Sequence, residues 1–425
     1  MDKEFLEKNN LKGKTIFLDV DGTIIADKEN NLDDKIFNVL KELNEKNNLY
    51  LCSNKSEVRA KKIAELIGCK YIPYKKPFPW GYKKIIRSDG LELKNIVVVG
   101  DKYLTDGLLA KFLGVDFLKT KRIYSSSDSF GVKISYFIDD IFYFLTPYIV
   151  LIRPLQSVKN LIVFAPIFFA VRISDLPLLF ETFLTFIIFC LASWIIYIIN
   201  DILDKKYDSL HPQKRYRPIT LGVISIRNAI IFAFLIFITL IYLIYKTPSA
   251  VIPVSVYIFL NILYSLFFKN IVVLDIIFVS LFYILRVIAG GLGGKIYISP
   301  WIIICVFFGS LFIIIGKRRA EYYRENKRIV LLAYSSQALD FMLVISSTLS
   351  IVSYGVWSAI EHGSPYLVYS TIFVVFIFFR IINYLFTRPH EVETPEILVF
   401  KDKLIFFSFL LWLIYVFCIF YFNFL

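Results

Sequence analysis

From Tyr143 onward the chain is a succession of apolar runs, each long enough to cross about 30 Å of hydrocarbon. They fall at 145–172, 178–200, 227–246, 249–268, 271–291, 299–315, 334–360, 366–386 and 404–424. Nine runs predict nine membrane-spanning helices, because a backbone in lipid must satisfy its own hydrogen bonds and a helix does so within one segment. Before residue 140 the pattern changes. Short strand-like runs at Thr15–Leu18, Leu49–Cys52 and Ile96–Val99 alternate with helix-like stretches at Asp33–Asn47 and Glu57–Ile67. That alternation predicts an α/β domain with a parallel sheet. The chain therefore reads as an α/β domain over 1–125, a connector over 126–144, and an all-α polytopic membrane domain over 145–425. The Ser-rich stretch Tyr124–Asp128, across the boundary between the first domain and the connector, is suited to a mobile link.

Composition sharpens the division. With 425 residues, 57% hydrophobic residues, 17% aromatics and mean hydropathy +0.63, the chain is too apolar for an ordinary soluble enzyme. Of the net charge of +13, the smaller part lies in residues 1–140, with 25 Lys and Arg against 21 Asp and Glu, and the rest carries 23 against 14. An excess of cations in a membrane protein marks its cytoplasmic loops. If the N-terminal domain is cytoplasmic, the inner loops 201–226, 269–271, 316–333 and 387–403 hold nearly all the loop cations, and the outer turns around Lys246, Lys295 and Glu361 are short and nearly uncharged. The expected location is the cell membrane, multi-pass, with the first domain in the cytoplasm. Five scattered cysteines without a CxxC pair argue against a disulfide framework or a zinc site, and no cleavable signal pattern opens the chain. His211, His362 and His390 have no metal-ligand spacing. No basic face with interleaved aromatics points to nucleic acid.

In the first domain, Phe17-Leu18-Asp19-Val20-Asp21-Gly22-Thr23 places two carboxylates directly after a buried strand, beside a glycine that lets backbone N–H groups approach an anion. A carboxylate nucleophile with a second carboxyl two residues on is a workable pair for phosphoryl transfer. Ser53-Asn54 follow the second strand, Lys76-Pro77 the next segment, and Gly100-Asp101 with Asp106 the last strand. Such strand ends are where open α/β sheets place their ligands. On these residues, 14–120 resembles the haloacid dehalogenase superfamily, especially its small capless phosphatases. The resemblance implies a Rossmannoid fold, Asp19 as nucleophile and Asp21 as acid and base. It implies Ser53 and Lys76 on the phosphoryl group, and Mg²⁺ held by Asp19, the Val20 carbonyl, Asp101 and Asp106. The plainer alternative is an inactive scaffold kept for docking.

In the second domain, Asn200-Asp201-Ile202-Leu203-Asp204 leads to Asp208, and the acids are followed by Lys214, Arg215 and Arg217. Positions i, i+3 and i+7 share a helical face. Three adjacent carboxylates call for a divalent cation, and Mg²⁺ with bridging substrate phosphates suits them. The neighbouring cations suit phosphate oxygens. A charged loop that only anchors the span is the plainer reading, but clustered acids at a membrane edge are costly and usually functional. The segment resembles the UbiA superfamily of intramembrane transferases, whose first motif is NDxxDxxxD, and within it the decaprenyl-phosphate phosphoribosyltransferases. The resemblance runs over Arg153-Pro154-Leu155-Gln156 with Lys159-Asn160, then Lys214–Pro218, Tyr264-Ser265 with Lys269, and Asp275. It continues through Leu285-Arg286, Gly316–Glu321, Arg380 with Tyr384, and Pro395-Glu396 with Lys401-Asp402. One departure is Ser157, where an aromatic is usual.

Where a prenyl-diphosphate transferase uses a second acidic motif, this chain reads Gly316-Lys317-Arg318-Arg319-Ala320-Glu321, which suits a bare phosphate. Arg286 and Arg380 lie in or near apolar runs and call for a phosphate or carboxylate partner, with Asp275 a candidate for that partner. The expectation is a transferase moving ribose 5-phosphate from phosphoribosyl pyrophosphate to a polyprenyl phosphate. In it Asp201, Asp204 and Asp208 hold Mg²⁺, while Asn200, Lys159, Lys214, Arg215, Arg217, Arg286, Lys317, Arg318 and Arg319 bind substrate. The fused phosphatase is expected to remove the product's 5-phosphate. The rivals are a prenyltransferase using a prenyl diphosphate and a non-catalytic membrane scaffold.

Overall fold

The computed structural model describes residues 11–26, 29, 32–125, 128–210, 214–323, 329–360, 365–388, 398 and 401–422. His211, His362, His390, Glu361, Pro395 and Glu396 fall outside them. The chain divides into two compact units, Met1–Tyr148 and Ile149–Leu425.

The first unit is built on five parallel strands in the order β3-β2-β1-β4-β5: β1 Thr15–Asp19, β2 Asn48–Cys52, β3 Lys70–Ile72, β4 Ile96–Gly100 and β5 Asp116–Lys119. Between them run α1 Asp34–Lys46, α2 Glu57–Ile67, α3 Pro79–Ser88 and α4 Leu108–Leu113. Strand periodicity sends Ile16 and Leu18 to one face, against α1 and α2, and Phe17 to the other, with Tyr50, Cys52 and Val98. Both faces are covered, which is why these strands read as unbroken apolar runs. The helix ends are marked in the sequence: Asp33 and Ser56 cap α1 and α2 through side-chain oxygens, and Gly68 ends α2 at φ +79°. A final helix, α5, spans Phe130–Ile152, so it begins inside the stretch 126–144.

The second unit is helical. The apolar run expected as one span over 145–172 is instead broken after α5: Arg153 takes φ +52°, Pro154 opens a 3₁₀ segment to Phe164, and a short helix covers Ala165–Phe169. Pro154 donates no N–H and crowds the residue before it out of the α region, so the helix cannot continue through this pair. There follow α6 Leu176–Leu203, α7 Ile226–Lys246, α8 Val251–Leu266, α9 Leu274–Gly293, α10 Pro300–Tyr322, α11 Ser336–Ile360, α12 Thr371–Thr387 and α13 Lys403–Phe422. Among the described residues nine helices are long and apolar enough to cross a membrane, α5 to α13, consistent with a multi-pass membrane protein. The apolar windows of α6 and α9 are 61% and 50% buried, against 11% for α13, so these two form the centre of the bundle. They carry buried charged groups: Asp201 on α6, and Asp275 and Arg286 on α9.

Helix α9 packs on the 3₁₀ segment through a glycine. A Cβ at Gly290 would land on the Val163 carbonyl, backbone that has no rotamer to yield. Gly290→Ala should therefore lower stability by about 1–3 kcal/mol, read as a lower thermal midpoint of the full chain in detergent. An unchanged midpoint would show that this contact is looser than described.

Candidate functional site

In the first unit, four strand ends converge. Asp19 closes β1, Ser53 follows β2, Lys76 follows β3, and Asp101 follows β4, with Asp106 on the π-helical turn Tyr103–Gly107. All are buried. The Lys76 ammonium lies 2.5 Å from both Asp19 Oδ1 and Asp106 Oδ1. Asn54 fixes the lysine's backbone, accepting from Lys76 N at 2.7 Å and donating to Lys76 O at 2.8 Å. Asp21 accepts from Ser53 Oγ at 2.5 Å and pairs with the Arg59 guanidinium.

The electrostatics show what is missing from balance. Asp19, Asp101 and Asp106 offer carboxylate oxygens all within 4.8 Å of one another. Burial, with Asp106 and Asp101 alongside, pushes the Asp19 carboxyl up to about 8 despite Lys76. Burial likewise raises Asp101, against the pull of Arg122. Burial works against the Lys76 charge, but Asp106 and Asp19 outweigh it and hold the ammonium well above its ordinary range. Asp101 Oδ1 is buried without a hydrogen-bond partner. Three carboxylates with surplus negative charge and an orphaned oxygen fit a hard divalent cation. Two glycines make the space: a Cβ at Gly22, whose φ is +78°, would sit 2.8 Å from Asp101 Oδ2, and one at Gly100 would strike Asp106. The Val20 carbonyl is a correction to the expected ligand set, since it accepts N–H bonds from Ile24 and Ile25 and serves the turn.

In the second unit a polar cavity of about 240 Å³ lies among α6, α8, α9, α10 and the 3₁₀ segment. Seven of its fourteen lining residues are Lys or Arg and one, Asp204, is acidic. Arg153 and Lys159 come from the 3₁₀ stretch, Lys214 and Arg217 from the loop after α6, and Lys269, Lys317 and Arg318 from the far wall. Asn200 lines it too, accepting from Ser265 Oγ at 2.9 Å. A second, apolar cavity of about 630 Å³ includes Leu161, Ile162 and Phe164 of the same 3₁₀ segment, with Tyr354, Trp357 and Trp412.

The three acids at the end of α6 do not close on one point. Among the described residues the only cluster of acids at metal-binding distance is the one in the first unit. The reason is local: α6 ends at Leu203, Asp204 sits at its C-cap with ψ 2°, and a separate turn Lys205–Asp208 follows, so that Asp201 and Asp208 meet at one guanidinium while Asp204 is held apart. Cations then divide the acids. Arg217 bridges Asp201 and Asp208, Arg153 adds to Asp201, and Lys269 holds Asp204 at 3.1 Å.

Other expected substrate ligands separate as well. Lys317 and Arg318 face the cavity, Arg318 being tied to Asp275 at 2.9 Å and Glu321 at 3.1 Å. Arg319 is not among the lining residues: it pairs with Asp340, donates to Leu385 O at 2.5 Å and stacks 3.8 Å from Phe386. Arg286 is locked in the core by Asn160 Oδ1 at 2.6 Å, Phe282 O at 2.5 Å and Tyr257. Arg215 bonds Tyr216 on an exposed turn. Asp275 is the partner of Arg318 and Tyr334, not of Arg286, and Arg380 is held by Asp402. Ser157, in place of an aromatic, accepts the Trp194 indole N–H at 2.9 Å. Sequence reasoning gave no role to Arg59, Arg122, Arg153 or Lys269. Of these Arg153 and Lys269 carried a visible signal, each lying in a stretch that bears the family resemblance.

The fold and the cation-lined cavity define an intramembrane transferase, and the first unit defines a hydrolase domain of the phosphatase type. A family model described as the UbiA prenyltransferase family matches residues 161–410, and one described as haloacid dehalogenase-like hydrolase matches residues 3–111. The chain belongs to the UbiA prenyltransferase family and carries an N-terminal haloacid dehalogenase-like domain. It is 34% identical over 222 residues to the decaprenyl-phosphate phosphoribosyltransferase of Mycobacterium tuberculosis, covering 50% of this chain and 74% of that one. With the enzyme of the same name from Mycolicibacterium smegmatis it shares 36% over 217 residues, 49% of this chain and 68% of that one. The solved UbiA homolog from Archaeoglobus fulgidus bound to DMAPP and Mg²⁺ superposes with TM-score 0.50 at 16% identity, covering 64% of this chain and 98% of that one, which shows the fold.

Gly22 gives the direct test of the hydrolase site. Gly22→Ala adds a methyl against Asp101 and about 1–2 kcal/mol of left-handed backbone strain. Divalent-cation-dependent hydrolysis of an aryl phosphate should disappear while the chain stays folded by circular dichroism; retained turnover would remove Asp101 from the site.

Proposed function

We propose that the membrane half transfers the ribose 5-phosphate unit of phosphoribosyl pyrophosphate to a polyprenyl phosphate, yielding polyprenylphosphoryl phosphoribose and pyrophosphate. The single observation that carries this reading is the cavity with seven cations and one acid. A donor with a pyrophosphate and a 5-phosphate, together with a phosphate acceptor, needs that excess of positive charge, and a prenyl diphosphate alone needs less of it. Lys317 and Arg318 stand where a second acidic motif would serve a prenyl-diphosphate enzyme, and relatives at 34% and 36% identity bear the corresponding name. The apolar cavity bordering the same 3₁₀ segment suits an isoprenoid chain.

The ionised acceptor oxygen attacks the anomeric carbon as the bond to pyrophosphate breaks. It is already a nucleophile, so placement is the main demand. Lys159, Lys317 and Arg318 steady it. Arg153, Lys214 and Arg217 take the phosphates of the donor, the guanidiniums aimed by Asp201 and Asp208. Mg²⁺ typically needs only one or two protein carboxylates beside substrate phosphates, and Asp204, at the cavity wall, is the residue to supply one. When bound there, it neutralises charge developing on the departing pyrophosphate.

The haloacid dehalogenase-like domain then removes the 5-phosphate, giving polyprenylphosphoryl ribose. Asp19 attacks phosphorus while Asp21 protonates the leaving ribose oxygen. Asp21 next takes a proton from the water that cleaves the aspartyl-phosphate. Asp19, Asp101 and Asp106 would hold Mg²⁺, which offsets phosphoryl charge. The reading places both domains on the cell membrane, with the hydrolase domain in the cytoplasm.

Two outcomes follow from mass spectrometry of lipids made from phosphoribosyl pyrophosphate and polyprenyl phosphate. Asp204→Asn and Asp201→Asn should each cut transfer by roughly ten- to a hundredfold or more, and full retained transfer in both would defeat the acidic role. Asp19→Asn should leave transfer intact and accumulate the phosphorylated lipid; an unchanged product ratio would detach the hydrolase domain from this product. A prenylated acceptor formed from prenyl diphosphate would favour the prenyltransferase alternative instead.

A further inference from the structure

The segment matched by the hydrolase family model ends at residue 111, yet the site it contains is held from beyond that point. Asp139, on α5, is 1% exposed. Its two oxygens accept the backbone N–H groups of Tyr103 at 3.1 Å and Leu104 at 2.7 Å. These are the opening donors of the π-helical turn that carries Asp106, groups that no bond within the turn satisfies. The same carboxylate lies 3.2 Å from Nη2 of Arg122, which follows β5. Arg122 in turn donates through Nε to Asp101 Oδ2 at 2.8 Å and through Nη2 to the Asp101 carbonyl at 3.1 Å. The guanidinium is seated on the Tyr136 ring of α5, 4.3 Å from its centroid.

We propose that Asp139 is a positioning residue of the hydrolase's cation site, fixing Asp101 through Arg122 and Asp106 through the Tyr103–Leu104 backbone. The inference rests on the reading of Asp19, Asp101 and Asp106 as the cation ligands. Arg122 occupies Oδ2 of Asp101 and leaves Oδ1 buried without a hydrogen-bond partner. A guanidinium balanced by Asp101 alone would draw charge from the carboxylate that has to attract the metal. Asp139 supplies the balance, so that Asp101, Arg122 and Asp139 together keep a net negative charge, while the half-exposed Asp140 is shared with Lys119 at 2.9 Å. Charge and aim are thus set by a helix outside the recognisable hydrolase segment.

The test uses the full-length protein in nanodiscs. Asp139→Asn keeps the shape and one acceptor while losing the charge, and Asp139→Ala removes both. The half-saturating Mg²⁺ for p-nitrophenyl phosphate hydrolysis should rise about ten- to a hundredfold, with turnover at saturating Mg²⁺ near that of the parent. Mn²⁺ binding followed by electron paramagnetic resonance, in an Asp204→Asn background that removes the cavity carboxylate, should weaken by the same factor. Circular dichroism and the thermal midpoint of the full chain report that each Asp139 variant is folded. Asp140→Asn should leave Mn²⁺ affinity unchanged. Should Asp139→Ala fail to fold, Asp139→Asn and Arg122→Lys decide. Unaltered Mn²⁺ affinity in the folded Asp139 variants would overturn the proposal. Mn²⁺ binding without any phosphate hydrolysis in the parent would sink the phosphatase reading alone, the affinity comparison still deciding the role of Asp139.

Discussion

One guanidinium shared between two carboxylates shapes the membrane half. Arg217 reaches Asp201 near the end of α6 and Asp208 beyond it, and so folds the loop after the helix back over the helix end. Both acids are almost fully buried, and a buried carboxylate left without a partner costs several kcal/mol, so the pairing is a condition of the fold before it serves any chemistry. Arg153 joins the same carboxylate from the other side, across the break that Pro154 forces in the chain. Two arginines fixed in this way bring positive charge to the cavity with no acid beside them on its wall except Asp204. The acids of the motif are thus divided: two pair with arginines, and one lines the cavity.

The hydrolase domain solves the opposite problem. There the carboxylates outnumber their close cation, with Asp19 and Asp106 sharing Lys76 and Asp101 leaning on Arg122. An arrangement of this kind is stable only because the lysine is fully enclosed with its partners and because glycines at 22 and 100 let the acids approach. The residual negative charge is a demand for a divalent cation. In the membrane cavity the excess is positive. The two sites of one chain carry opposite charge, with acids gathered in one and cations lining the other.

Much of this was legible in the sequence because strand ends and helix caps are local. The Asp19-Val20-Asp21-Gly22 loop, Lys76, Asp101 and Asp106 could be placed from runs of β-branched residues and the polar groups that close them. The nine apolar runs followed from length alone. Misreadings arose where tertiary partners decide. Asp201, Asp204 and Asp208 keep helical spacing on paper, but the helix ends at Asp204 and three different cations claim the acids. Arg319 and Arg318 are neighbours in sequence, yet 100° of helical rotation turns one to Asp340 and Phe386 and the other to the cavity. Arg286 looked like a phosphate ligand because an arginine in an apolar helix demands a partner; Asn160, Tyr257 and a backbone carbonyl meet the demand instead. No local pattern marks Asp139, whose partners lie 35 and 36 residues away.

The joining of a hydrolase to a transferase follows a chemical logic on the proposed reading. Transfer from an activated donor exchanges one phosphate ester for another, and released pyrophosphate can in principle drive the step backward. Hydrolysis of the terminal phosphomonoester removes the group that the cationic cavity would use to hold the product for reversal. A product without its 5-phosphate loses its charge-assisted bonds to residues such as Lys214 and Arg217, and with them most of its hold on the site. Tethering favours that hydrolysis without any new contact between the halves, because a lipid-borne product stays within the local concentration that a covalent link provides. The direction of the whole sequence would then be set by which phosphate is cut, while the affinity of the transferase for its product plays a minor part.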